Sequence, residues 1–421
     1  MTTVLNGRWL ARRLSDMSYP NVDHAFRIMT SLQQAPLNIM KDDGLLQSLV
    51  VLPENNKWWG ELVVWLDYTH TWSIATATPI LWVFLAYVFT VVDASIDPTG
   101  RSGNSDTQAV GTVWLWLLPI VVGWLQLSPQ CDSQRLRDAL SRANKIAYVA
   151  TNNDPRLVDS EVQAFTIPSV SDDATHADEI CSAPIFNYAR FLGWTQNVEK
   201  VVAVFRHASC HAAADDTQKQ SENRPGNVEH VIACCESEVR SRWGPDVWSR
   251  MLVASLVALL LQWGTSGAAI MIIWYTPTVG LGCRSTSFLL YAATSTLTWM
   301  LLVTSSILTH FLASSNDSQS RLRNFGRMVA VVLRRVGKIL AACNAIGIIL
   351  ACTLQLGGFD DRCYCNSSVI GLKNGAYDIL IASANEVKGP WIGGVALACG
   401  SAFLFVVFVN LFINPKPTTC P

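Results

Sequence analysis

Charge is scarce in this 421-residue chain: Asp, Glu, Lys and Arg make up 15% of it, against about 25% in ordinary soluble domains. The formal net charge is −1, so nothing suggests the concentrated basic face that nucleic-acid binding requires. An uninterrupted apolar core is missing from residues 1–19, where Arg12, Arg13 and Asp16 intervene, and this argues against a secretory signal. There is no Walker loop, no set of His-rich desaturase boxes and no Gly-x-Ser-x-Gly elbow. An ATP-driven pump built from this chain alone is thereby excluded. Asp360-Asp361 stands as a lone pair, not as the Asp-Asp-x-x-Asp cluster that holds magnesium and diphosphate in prenyl-transferring membrane enzymes. The chain also lacks an obvious inverted repeat or broken helix pair of the kind that marks secondary transporters.

What the chain does have is hydrophobicity, at 50% of its residues. It is gathered into six stretches at 72–92, 111–127, 247–275, 286–312, 339–356 and 391–413. Most exceed the roughly 18–20 residues that a helix needs to cross about 30 Å of hydrocarbon. Backbone groups in lipid must be satisfied internally, so these stretches are helices. The expected fold is all-α, a polytopic helical bundle of about six spans. Pro79 and Pro119 are expected to kink spans one and two. Many of the 16 tryptophans flank or enter the spans, where an indole buries its ring and keeps its N–H near water.

Lys and Arg near the span ends set the orientation. Arg135, Arg137, Arg142 and Lys145 follow span two, and Arg321, Arg323, Arg327, Arg334, Arg335 and Lys338 lie between spans four and five. Only Arg101 separates spans one and two, and only Arg284 separates three and four. Both termini and the segment between spans two and three are therefore expected in the cytoplasm. The resulting divisions are a cytoplasmic segment 1–71 with interfacial helices, a hairpin of spans 72–127, a mainly helical insert 128–246, spans 247–413 and a tail 414–421. Trp9, Leu10, Leu14 and Met17 fit one face of a short helix, lying either on the membrane or on the rest of the protein. In the insert, helices are expected near 134–150, 197–214 and 228–243. The basic first one is placed along the inner leaflet, and Asp246 is expected to cap span three.

The outer loops contain Cys283, Cys363 and Cys365 and the acceptor pattern Asn366-Ser367-Ser368. An oxidising compartment permits one disulfide there, of open pairing, and glycosylation of Asn366. In the insert, His207, Cys210 and His211 share a helix face, and His230 and Cys234 repeat the four-residue step. Two such pairs offer the ligands of a tetrahedral zinc site. The plainer alternative is surface histidines with thiols acting as small hydrophobes. Within span three, Gln262, Thr265 and Ser266 accompany Gly264, Gly267, Ala268 and Ala269. Small residues and hydroxyls at that spacing suit close helix packing, with a cavity lining as the alternative. Asn344 and Asn410 read as helix–helix hydrogen-bonding groups.

Residues 266–274 and Thr276-Pro277-Thr278-Val279-Gly280-Leu281-Gly282-Cys283-Arg284-Ser285 resemble a run in a family of filamentous-fungal multi-pass membrane proteins. Cys131-Asp132, Arg135-Leu136-Arg137 and 144–151 are also similar to that family. The resemblance covers roughly residues 110–415. It implies a fungal source and, since some members are encoded beside secondary-metabolite genes, an accessory place in such a pathway. It carries no catalytic residues and no firm cofactor. A small-molecule exporter and an integral-membrane cyclase-type enzyme are the alternatives. Expected partners are the lipid bilayer, other membrane or pathway proteins and a small metabolite, in the endomembrane system or the plasma membrane.

Overall fold

Long apolar runs with no outside partner for their amides close their hydrogen bonds within each helix, and this dictates most of the architecture. A computed structural model describes residues 1–33, 37–38, 44–66, 74–96, 103–127, 133–151, 155–158, 165–166, 188–215, 246–276, 279–313, 321–357 and 384–412. Among them the chain runs α1 (Thr2–Leu14), α2 (Val22–Ser31), β1 (Leu37–Asn38), α3 (Leu45–Val51), α4 (Asn56–Leu66), α5 (Ile74–Ile96), α6 (Gly103–Trp114), α7 (Leu117–Leu127) and α8 (Ser133–Asn144). It continues through β2 (Tyr148–Val149), β3 (Arg156–Leu157), β4 (Phe165–Thr166), α9 (Tyr188–Asp215), α10 (Val247–Trp274), α11 (Cys283–Ala313), α12 (Arg321–Leu356) and α13 (Ala384–Phe412).

Five stretches are long and apolar enough to cross a membrane: Thr107–Leu127, Val247–Trp274, Cys283–Leu312, Asn324–Leu356 and Lys388–Phe412. They coincide with expected spans two to six. The expected first span falls on α5, whose apolar stretch Ile80–Val92 is shorter than the other five. The broken second span has a visible cause. Pro119 sits in the first turn of α7, where its missing N–H and its ring act against the carbonyl of Leu115. The chain passes the break with tighter bonds, Leu115 N to Thr112 O at 3.2 Å and Leu118 N to Leu115 O at 3.3 Å. In α5 the helix runs through Pro79 without interruption. Helix α12 starts well before residue 339, because Arg and Lys are good helix formers and interrupt only the apolar run. Asp246 precedes α10 with φ 57° and makes no side-chain capping bond. Its backbone carbonyl instead accepts from Arg250 N at 3.1 Å.

The chain forms two regions with separate cores. One core joins the amino-terminal helices to the insert, with Leu10, Ile28, Leu49, Trp58, Trp59 and Leu62 against Leu140, Trp194, Val198 and Phe205. Strand β1 pairs antiparallel with β4, and β2 with β3. Asn55 ties the two segments twice, donating to Tyr148 O at 2.9 Å and accepting from Tyr148 N at 2.8 Å. Trp194 Nε1 donates to Met29 O at 2.8 Å. The described residues of 1–66 and 133–215 thus form one domain, interrupted by α5–α7. The apolar face of α1 packs into this core and onto the bundle, and that of α8, through Leu136, Ala139, Leu140 and Ala143, is buried in the domain. The insert therefore gets its core from the start of the chain. The second region is the helix bundle, in which α11 pairs with α12 and α10 packs between α11, α13 and α6.

Candidate functional site

Where the domain meets the bundle, a polar chain is built from residues distant in sequence. Arg250 is the fourth residue of α10 and is buried. Its Nη1 donates to Asn6 Oδ1 of α1 at 2.5 Å. Asn6 Nδ2 donates in turn to Gln33 Oε1 at 3.0 Å, and Gln33 Nε2 donates to Thr3 O at 3.0 Å. The Arg250 guanidinium lies 4.1 Å over the Trp9 ring and 5.1 Å from the centroid of Phe191. A planar cation between aromatic faces gains quadrupole attraction while its N–H groups find acceptors. Beside it, Arg13 Nη2 makes a forked pair with Glu199 at 2.9 and 3.1 Å. Phe191 and Leu192 of α9 continue the junction against Val247 and Met251 of α10 and Val303 and Ile307 of α11. What this arrangement supplies is position: it holds the head of α10 in a fixed relation to the domain.

The polar residues expected in span three are spread over different contacts. Gln262 Nε2 donates to Ala292 O of α11 at 2.9 Å and to Thr296 Oγ1 at 3.4 Å. Thr265 Oγ1 returns to its own helix, to Leu261 O and Gln262 O. Ser266 Oγ is buried and has no hydrogen-bond partner among the described residues. Gly264 allows the closest approach, since a Cβ there would stand 2.3 Å from Ser401 Cβ of α13. Gly394 repeats the effect two turns away on the same face of α13, with Ile272 at 2.7 Å from its would-be Cβ. Asn344 of α12 donates to Ser295 Oγ at 2.8 Å and Tyr291 O at 3.2 Å, and accepts from Thr294 Oγ1. Asn410 of α13 accepts from Gln126 Nε2 of α7 at 3.3 Å. These amides, hydroxyls and glycines bind helix to helix.

His207 and Cys210 lie on α9 and are exposed. The helix also includes His211, whose side chain, like His230 and Cys234, lies outside the described residues. Among the described residues no group of three or more His, Cys, Asp or Glu side chains is placed to hold a metal ion. Cys283 is half-buried at the start of α11; Cys363, Cys365 and Asn366 lie outside the described residues.

The Asn6–Gln33–Arg250 junction has almost no sequence signature, because its partners are 27 and 244 positions apart. The one available signal is an arginine one turn into an apolar helix, where a charge calls for a buried partner. Comparison with protein-family models, curated proteins and solved structures finds no match to the chain.

Proposed function

We propose that the chain is a six-span membrane protein with both termini and its split domain on the cytoplasmic side, acting as an accessory component of a fungal secondary-metabolite pathway. The observation that carries the topology is the shared core of residues 1–66 and 133–215. A packed core cannot straddle hydrocarbon, so both segments lie on one side of the membrane. The chain between them crosses an even number of times; with α6–α7 crossing once, α5 supplies the second crossing. Helices α10–α13 add four more. The excess of Lys and Arg on the domain's side supports the cytoplasmic assignment.

The accessory role is supported by the resemblance to fungal multi-pass proteins and by the use of Gln262, Asn344 and Asn410 in helix–helix contacts. Comparing metabolites of a deletion strain with its parent, in medium and cells separately, tests the role. Loss of one compound with accumulation of a precursor supports it. The same compound made but retained in cells supports export instead, and no change in either fraction removes the pathway assignment. For topology, a glycosidase-sensitive mobility shift lost in Asn366→Gln is the expected result; a shift that survives the substitution shows that the outer loop is wrongly assigned.

A further inference from the structure

Helix α12 is 36 residues long, about 54 Å at the rise of an α-helix. The hydrocarbon core is about 30 Å thick, and the bilayer with its headgroups about 40–45 Å. Part of α12 therefore lies beyond the hydrocarbon, and its composition says which part. Residues 339–356 hold no charge, whereas 321–338 hold five arginines, one lysine and no carboxylate. A helix this long fits within the headgroup boundaries only when tilted, within the range that membrane helices adopt.

The basic half of α12 also carries an unusual face. Phe325, Met328, Val332 and Val336 recur at helical spacing, and the first two are 65% and 66% exposed. The stripe runs on into Ile339, Ile346 and Leu350, which face outward along the apolar half. Arg335 is exposed beside the stripe, and Arg327 and Lys338 are half-buried farther round the helix, toward the face of Arg334. Arg334 turns inward and donates to Thr309 Oγ1 at 3.0 Å. The contrast with α8 is informative. That helix is also basic, with exposed Arg135, Arg142 and Lys145, but its apolar face is consumed by the domain core. Among the described residues, α12 presents several cations together with an open apolar stripe, as an interfacial helix does.

We propose that the amino-terminal half of α12 is a binding site for anionic phospholipids of the cytoplasmic leaflet. The stripe sits at the acyl boundary, and Arg327, Arg335 and Lys338 meet the lipid phosphates. Charge complementarity favours this occupant: Arg327, Arg335 and Lys338, in a segment without a carboxylate, suit a negatively charged leaflet, whose attraction reaches about one Debye length. The site rests on the topology proposed above, but its test does not depend on sidedness.

The full chain is reconstituted into nanodiscs of phosphatidylcholine containing phosphatidylserine, and the bound phosphatidylserine is measured. Enrichment over the bulk composition is expected, weakening by about fivefold in affinity for each cation removed in Arg335→Gln and in the triple variant R327Q/R335Q/K338Q. The variant R135Q/R142Q/K145Q on α8 is expected to keep the enrichment, and high salt to reduce it. The single Arg335→Gln change keeps the test valid if the triple variant does not fold. Absence of enrichment in the unaltered protein, or equal loss in the α8 variant, overturns the proposal. A dimer that persists in pure phosphatidylcholine and is broken by Met328→Asp also overturns it, assigning the stripe to a second copy of the chain. A topology error would appear in the Asn366→Gln experiment while leaving this one unchanged.

Discussion

Four tryptophans of the split domain are buried, whereas four of the bundle helices are turned outward and, among the described residues, only Trp391 of the bundle is buried. In the domain Trp9, Trp58, Trp59 and Trp194 are buried, while Trp82, Trp248, Trp263 and Trp274 of the bundle helices are exposed. Large exposed hydrophobics follow the same division: among the described residues only Val64 and Leu157 belong to the domain. The difference teaches that one chain is written for two solvents. In water, apolar area gains about 25 cal/mol per Å² when it is covered. In lipid that gain is absent, and helices associate through close packing and hydrogen bonds. The domain is accordingly held by aromatic clusters such as Trp58–Trp59 and Trp59–Phe205, with ring centroids 4.8 and 5.5 Å apart. The bundle is held by Gly264 against Ser401 and by Asn344 against Ser295.

The largest expected effect tests the water-side rule. Trp59 is fully buried, and its Nε1 donates to Leu49 O at 2.8 Å. Trp59→Ala is expected to destabilise the domain by about 3–5 kcal/mol, read as a loss of thermal stability of the purified protein in detergent. Trp82→Ala, at a site 71% exposed, should change that stability by less than about 0.5 kcal/mol. Equal effects would break the comparison.

Arg250→Met sharpens it, because the residue joins the two regions. The change leaves Asn6 Oδ1 buried without its charged donor, and about 1–3 kcal/mol of destabilisation is expected. Limited proteolysis should then cut between domain and bundle sooner. Unaltered cleavage would show that the junction carries little of the coupling. Within the bundle, Gly264→Ala forces Ser401 away and should cost about 1–3 kcal/mol, whereas Gly267→Ala meets nothing within 4 Å and should be close to neutral. The thermal transitions of the two variants, measured side by side, decide this. Arg13→Gln is expected to cost less than Arg250→Met or Gly264→Ala. It removes the Glu199 pair, whose side chains are 30% and 17% exposed; surface ion pairs contribute about 0.2–1 kcal/mol, read as a small fall in the thermal transition.

Legibility in the sequence followed the range of the interaction. Spans two, three, four and six were readable to within a few residues, since hydropathy over a window of about 20 residues is a local property. The early start of α12 was not, because its cations mask a helical pattern in a hydropathy reading. Asn344 was identifiable as a helix-binding amide from its apolar surroundings, though nothing local named Ser295 as its partner. The side-chain cap expected of Asp246 is absent, since the residue adopts a left-handed backbone and gives its carbonyl instead.

By itself, then, the sequence determined that the chain is helical and where its apolar helices run, because in lipid each backbone must satisfy its own hydrogen bonds within the helix. Only the tertiary structure decided that residues 1–66 and 133–215 share one core, and that Arg250 meets Asn6 across 244 positions. Both depend on which surfaces meet in space. An amphipathic face records that it needs a partner, but not which one.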